Sequence, residues 1–323
     1  MSAELHIAEG SQLAHAIVAH ALSSHGIRAL FVKGPVATSQ GLRSDRISND
    51  VDVLCDPARM KDAIELFESF GWTRYAGEDT DPMAIGMHAS TYCIPGWPNT
   101  IDLHANFPGL LAPPSESFAF LWERRRVARM AHHALAAPAP ADHFVIIAVH
   151  HLRELPEEFA HSARLPLDLA WRSLSPHEQR DAVAAARALG ALEPLRAVFV
   201  DLGADPGPYD ERFAAEARTW QRSRRHLGDS SMVWLIRWQG ARWRDRPELV
   251  ARAFWDISMD SSRTPQEWAA ATRRERARGR LRRTRRGLAG IPRALRGARA
   301  AAREGNPAPR HTDSDEGGHT GHA

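Results

Sequence analysis

The segment Asn49-Asp50-Val51-Asp52-Val53-Leu54 constrains this chain more than any other. Its carboxylates and apolar residues alternate at period two, the pattern of a strand, so Asp50 and Asp52 emerge on one face. Two acids that close repel each other unless a cation sits between them. Hard carboxylate oxygens suit Mg²⁺, which keeps several waters and takes further ligands from substrate phosphates, so the pair predicts a metal–nucleotide site. A solvated edge strand with two surface acids would carry the same pattern, and other parts of the chain bear on that choice.

A third acid, Asp102, lies among strand formers in Ile101-Asp102-Leu103-His104. From a neighbouring strand it would complete a two-metal arrangement, in which one ion activates an attacking hydroxyl while the other steadies the triphosphate and the leaving pyrophosphate. His104 reads either as a donor that orients a metal-bound acid or as the end of a strand. The apolar run Arg28-Ala29-Leu30-Phe31-Val32 predicts a buried strand stopping at the turn Lys33-Gly34-Pro35. Glycine there lets the backbone approach a phosphate, and the ammonium can neutralise one. Of 42 basic residues only Lys33 and Lys61 are lysines, so a lysine placed at such a turn stands out.

In order, these pieces are a helix, the strand ending in Lys33-Gly34-Pro35, Arg43, the paired acids, a helix closed by Gly71-Trp72, and Ile101-Asp102-Leu103-His104. The series resembles the bacterial uncharacterised nucleotidyltransferase family of the polymerase-β-like superfamily, over roughly residues 10–175. The resemblance implies an α/β (α+β) fold with a small mixed sheet, the minimal nucleotidyltransferase fold, followed by an all-helical domain. It makes Asp50, Asp52 and Asp102 the metal ligands and catalytic acids, and Lys33, Gly34 and Arg43 the nucleotide-side contacts. Where family members carry Gly or another small residue before the first acid, this chain has Ser48-Asn49.

The expected organisation is a catalytic domain over 1–112, a helical acceptor domain over 113–262 and an Arg-rich, flexible tail over 263–323. Helices are expected at about 115–128, 141–155, 164–174, 177–190, 192–202, 210–227 and 246–258, with prolines at their starts or between them. Within the helical half His150-His151 and Asp168 read either as acceptor contacts or, more simply, as packing or surface histidines and an acid paired with a nearby Arg. The six tryptophans of 220–269 read as core anchors. Residues 271–323 hold 14 Arg against 5 acids, a balance of +9 within a net charge of +3, which leaves −6 for the rest. The basic tail is thus a candidate polyanion contact, with a loosely helical solvated segment as the plainer reading.

Other chemistries lack their signatures. The motifs Gly-x-Ser-x-Gly, Gly-x-x-x-x-Gly-Lys-Ser/Thr and Gly-x-Gly-x-x-Gly are all missing, and Cys55 and Cys93 cannot build a disulfide framework or a four-thiolate zinc site. The longest apolar stretch, around Phe144–Val149, is far too short for a bilayer, so no transmembrane segment and a cytoplasmic location are expected. The expected function is Mg²⁺-dependent transfer of a nucleoside monophosphate from an NTP to an unknown small-molecule, peptide or RNA acceptor. The competing readings are a catalytically silent nucleotide-binding accessory protein and an RNA-directed enzyme that uses its tail.

Overall fold

The structure, a computed structural model, describes residues 5–74, 89–154, 160–225, 243–244, 246–247, 271–282, 284–285, 288–289 and 292. Helix α1 (Ile7–Ser24) buries Ala14, Val18 and Leu22 at four-residue spacing. It ends where Gly26 takes φ +65°, with the Gly26 and Ile27 amides donating back to Ser23 and Leu22. Strand β1 (Ala29–Val32) is fully buried and runs into α2 (Gly34–Ser39). Strand β2 (Asp50–Cys55) follows, then a 3₁₀ turn started by the Asp56 carboxylate, which accepts from the Ala58 amide. Helix α3 (Met60–Ser69) leads on to β3 (Thr73–Arg74), β4 (Ala89–Cys93) and β5 (Thr100–His104).

The five strands form one sheet in the order β1-β2-β5-β4-β3. Its β2–β5 pair is parallel and the other pairs are antiparallel, so the sheet is small and mixed as the sequence implies. Strand alternation sorts its two faces. Phe31, Val51, Val53, Ile101 and Leu103 pack with Ala14, Val18 and Leu22 of α1 and Phe67 of α3. Leu30, Val32 and Leu54 point the other way and join a second core built on α5 (Pro140–Glu154), with Phe144, Val145, Ile146 and Ala148. Asp50, Asp52, Asp102 and His104 therefore share the α5 side of the sheet by strand periodicity.

Helices α4 (Pro114–Glu123), α5, α6 (Ala160–Ser173), α7 (Pro176–Ala188), α8 (Leu192–Asp201) and α9 (Ala214–Arg225) follow the sheet. One expectation fails here: the first of these helices stops at Glu123, and a hairpin of β6 (Arg126–Met130) and β7 (His133–Ala137) occupies what reads as helix and loop. Its two-residue turn is Ala131-His132, both with positive φ (44° and 62°), a geometry that Asn-Gly would have announced and this pair does not. Most of the helix expected at 246–258 and four of the six tryptophans of 220–269 lie outside the described residues, as does most of the tail. Of the other two, Trp220 joins the core while Trp243 is exposed. In the tail, residues 273–282 are helical behind a capping box between Thr272 and Glu275. Among the described residues no helix is long and apolar enough to cross a membrane.

Candidate active site

Parallel pairing sets Asp52 of β2 opposite Asp102 of β5, and Leu54 opposite His104, in register. Period two then brings one potential ligand atom each from Asp52, Asp102 and His104 to within 4.8 Å of one another. Asp52 is the most constrained of the acids. Its Oδ1 accepts from Lys33 Nζ at 2.6 Å and from His104 Nε2 at 2.9 Å. Thr91 Oγ1, from the adjoining strand β4, donates to Asp102 Oδ1 at 2.7 Å. Asp50 sits nearer the rim, and Ser48 Oγ donates to its Oδ1 at 3.0 Å.

Electrostatics explain why this cluster favours a cation. Burial pushes the carboxyls of Asp52 and Asp102 up from their ordinary value, opposed at Asp52 by the Lys33 charge and reinforced at Asp102 by Asp52 itself. His104 is held down to about 3, first by burial and then by Lys33, so its ring is neutral at pH 7. A neutral ring has one N–H and a carboxylate only accepts, so Nε2 carries the proton and orients Asp52. Of the two readings of His104, the orienting one describes this geometry, and the strand ends there as well.

The residues fit a hard divalent ion. Two carboxylates converge on one spot, burial raises both, and the Lys33 ammonium meets Asp52 at 2.6 Å. The tight group is Asp52, Asp102 and His104 rather than the three acids alone, with Asp50 at its edge.

The cluster floors a cleft of about 1210 Å³. Lys33, Gly34, Arg43, Asp50, Asp52 and Asp102, all singled out from the sequence, line it together. Lys33 is only 13% exposed at its side chain, whereas Lys61 is 86% exposed and pairs with Glu65 along α3. Arg43 Nε is buried with no hydrogen-bond partner among the described residues. Burial, then the Arg46 charge, lowers its pKa. Gly34 has φ +42°, and a Cβ there would meet Ser48 Oγ at 3.2 Å, so the departure from the family pattern at Ser48 is packed against the turn itself.

Helices α5 and α6 supply the facing wall, with Ile147, His150, His151, Arg153, Pro166 and Leu169. The packing reading of His150 and His151 is thus incomplete: both line the cleft. Burial brings His150 down to about 2, with the Lys33 and Arg153 charges adding to it. His151 Nδ1 also bonds the Ile147 carbonyl at 3.0 Å. Asp168 follows the simpler reading and pairs with Arg172 at 2.8 Å. Sequence reasoning passes over Ser48, Thr91 and Arg153 as cleft residues, and His143, which lies beneath the Lys33 turn with Nε2 2.7 Å from the Lys33 amide.

His143 carries a pH prediction. It is fully enclosed and held at about 3 by burial first and the Lys33 charge second. Its folded pKa is therefore depressed below the unfolded value of 6.5. Stability from this group is complete above pH 6.5 and is lost as pH falls toward 3, at up to about 1.4 kcal/mol per pH unit, because only the unfolded chain binds the proton. Thermal melts between pH 7 and 4 should fall more steeply for the wild type than for His143→Gln.

With this geometry in view, sequence and fold comparisons give three findings. The model of a family described as uncharacterised nucleotidyltransferase matches residues 7–200. No curated protein sequence matches the chain. Solved structures that overlay on it include an antigenic nucleotidyltransferase-like protein from Paracoccidioides brasiliensis (14% identity, TM-score 0.37, 61% of this chain and 94% of that one). The antibiotic-resistance factor ANT(2'')-Ia is also 14% identical (TM-score 0.37, 59% and 97%). The nucleotidyltransferase toxin MenT4 of Mycobacterium tuberculosis H37Rv is 13% identical (TM-score 0.33, 84% and 92%).

Proposed function

The chain belongs to the uncharacterised nucleotidyltransferase family, and from that membership we propose that its cleft transfers a nucleoside monophosphate from an NTP to an acceptor, with Mg²⁺ at Asp52 and Asp102 and release of pyrophosphate. The observation that carries the reading is the in-register pair Asp52 and Asp102, beside a half-buried lysine on a glycine turn. When bound, the metal supplies Lewis-acid activation of the acceptor hydroxyl and charge neutralisation at the triphosphate.

The chain's own residues do the rest. Lys33 meets phosphate oxygens as a point charge, and the Gly34 backbone lets them come close. The Arg43 Nε donor, without a hydrogen-bond partner among the described residues, bonds a further phosphate oxygen. His104, Thr91 and Ser48 hold the three carboxylates in fixed rotamers, which keeps reorganisation during transfer small. Asp50, at the rim of the cleft, would be a further carboxylate available to the metal. Ile147, His150 and Leu169 form the wall where the acceptor lies. A cleft of about 1210 Å³ exceeds the range of roughly 300–1,000 Å³ that one small ligand occupies, which leaves space for a nucleotide and part of a second substrate.

The test uses NTPs labelled at the α or the γ phosphate, incubated with Mg²⁺, the protein and cell extract. The α label should pass to an extract component, the γ label should not, and Asp52→Asn should transfer neither. Transfer of the γ label would mean phosphoryl transfer. No transfer of either label, with Mg-NTP binding intact, would favour the silent accessory reading. Digestion of the labelled product by ribonuclease would favour the RNA-directed reading, and loss of RNA binding at high salt only in the presence of residues 271–323 would assign the tail to it.

A further inference from the structure

Lys33 holds a backbone conformation, φ 57° and ψ −152°, that is essentially reserved for glycine. Such a geometry persists only when its surroundings over-determine it. The Lys33 amide donates to His143 Nε2 at 2.7 Å, across 110 residues of sequence, and its carbonyl accepts from the Ala37 amide at 2.9 Å. His143 Nδ1 lies 2.6 Å from Gln40 Oε1, and Gln40 Nε2 donates to the Pro138 carbonyl at 2.9 Å.

Two backbone groups at the ends of this chain fix every proton in it. The Pro138 carbonyl can only accept, so the Gln40 amide nitrogen faces it and Gln40 Oε1 faces the imidazole. The Lys33 amide can only donate, so Nε2 must be the bare nitrogen of the ring. His143 is therefore the Nδ1–H tautomer, donating to Gln40 and accepting from Lys33. Complete burial keeps the ring neutral, so the acceptor persists across the physiological range.

We infer that His143, locked into one tautomer by Gln40, is a positioning residue that holds the Lys33 turn in its glycine-like conformation and so delivers the ammonium to Asp52. The functional half of this inference rests on the reading of Lys33 as a phosphate contact. Nothing else among the described contacts restrains the Lys33 amide, and without it the residue relaxes toward ordinary φ. That relaxation rotates the side chain away from the carboxylate it now meets at 2.6 Å. The device also ties the floor of the cleft to α5, the helix that carries His150 and Arg153 on the opposite wall.

The experiment compares wild type with His143→Ala, His143→Gln and Lys33→Ala. Three readouts are taken: hydrogen exchange at the Lys33 amide by NMR, melting temperature, and titration with Mg²⁺ plus each of ATP, GTP, CTP and UTP. His143→Ala should lower Lys33 amide protection and Mg-NTP affinity by roughly tenfold each. His143→Gln, whose Oε1 can take the Nε2 position, should restore both to within about threefold while remaining unable to bind a proton there. A role confined to core packing would lower the melting temperature of both variants and leave the Lys33 amide alike in the two. The inference is overturned if the Lys33 amide keeps wild-type protection in folded His143→Ala, or is equally unprotected in folded His143→Ala and His143→Gln. It is equally overturned if His143→Ala keeps wild-type Mg-NTP affinity while Lys33→Ala loses it. Unchanged affinity in Lys33→Ala would instead refute the phosphate-contact reading, with the amide exchange still deciding whether His143 holds the turn.

Discussion

Asp102→Asn is expected to abolish Mg²⁺-dependent transfer and to melt a few degrees above the wild type at pH 7. Both effects come from one cause. Burial and the nearby Asp52 charge raise the Asp102 carboxyl, so the fold carries its ionised form at a cost. A group raised in the folded state contributes most below its unfolded pKa, and that contribution is lost as pH rises through the folded value. Asparagine is never ionised and its carbonyl still accepts from Thr91 Oγ1, so the variant avoids the loss without breaking the contact that orients the side chain. That relief should appear as a rise of a few degrees at most in melting temperature. The difference in melting temperature should grow from pH 4 to pH 7, and saturating Mg²⁺ should raise the wild type and not the variant. An Asp102→Asn protein that melts well below the wild type at pH 7 would place Asp102 in the structural framework.

Lys33→Ala is the second large effect. The Lys33 ammonium meets Asp52 Oδ1 at 2.6 Å with both side chains largely withdrawn from water, so its loss leaves a buried carboxylate with one cation fewer. Mg-NTP affinity should fall about 30- to 100-fold, the scale of 2–3 kcal/mol for a charge-assisted contact in a partly dry site. Lys61→Ala serves as the control, because an exposed partner of Glu65 on α3 contributes little to anything. Lys33→Arg should rescue only in part, since a planar fork cannot occupy the place of a compact ammonium. Titration of the three variants with Mg²⁺ and each NTP checks the order, and equal small effects at Lys33 and Lys61 would remove Lys33 from the site.

How much of this site is legible in the sequence follows from the range of the forces involved. Alternation in Asp50-Val51-Asp52-Val53 and in Ile101-Asp102-Leu103-His104 reports strand faces locally, so residue spacing alone puts Asp50 with Asp52 on one face of β2 and Asp102 with His104 on one face of β5. The parallel register that sets Asp52 opposite Asp102 is not local, because it depends on how β4 and β5 pack after a long connection. The Lys33-Gly34 turn is legible from its composition. Its support is not, since His143 lies 110 residues away, next to a run from Phe144 to Val149 that reads as plain core. Arg153 belongs to the same helix and is hidden in the same way, while the His150-His151 pair is visible in the sequence without its role being fixed, as a helix face becomes a cleft wall only through its partner. The β6–β7 hairpin escapes a reading by turn chemistry because Ala131 and His132 adopt positive φ without the residues that usually signal it.

The most direct measurement of the central claim is calorimetric titration of Mg²⁺ with each NTP into wild type and Asp52→Asn, alongside their melting curves. Mg²⁺-dependent binding of at least one NTP by the wild type is expected, with its loss in a folded Asp52→Asn protein and no binding by either without the metal. Unchanged Mg-NTP affinity in Asp52→Asn would place the nucleotide elsewhere and contradict a metal site at Asp52.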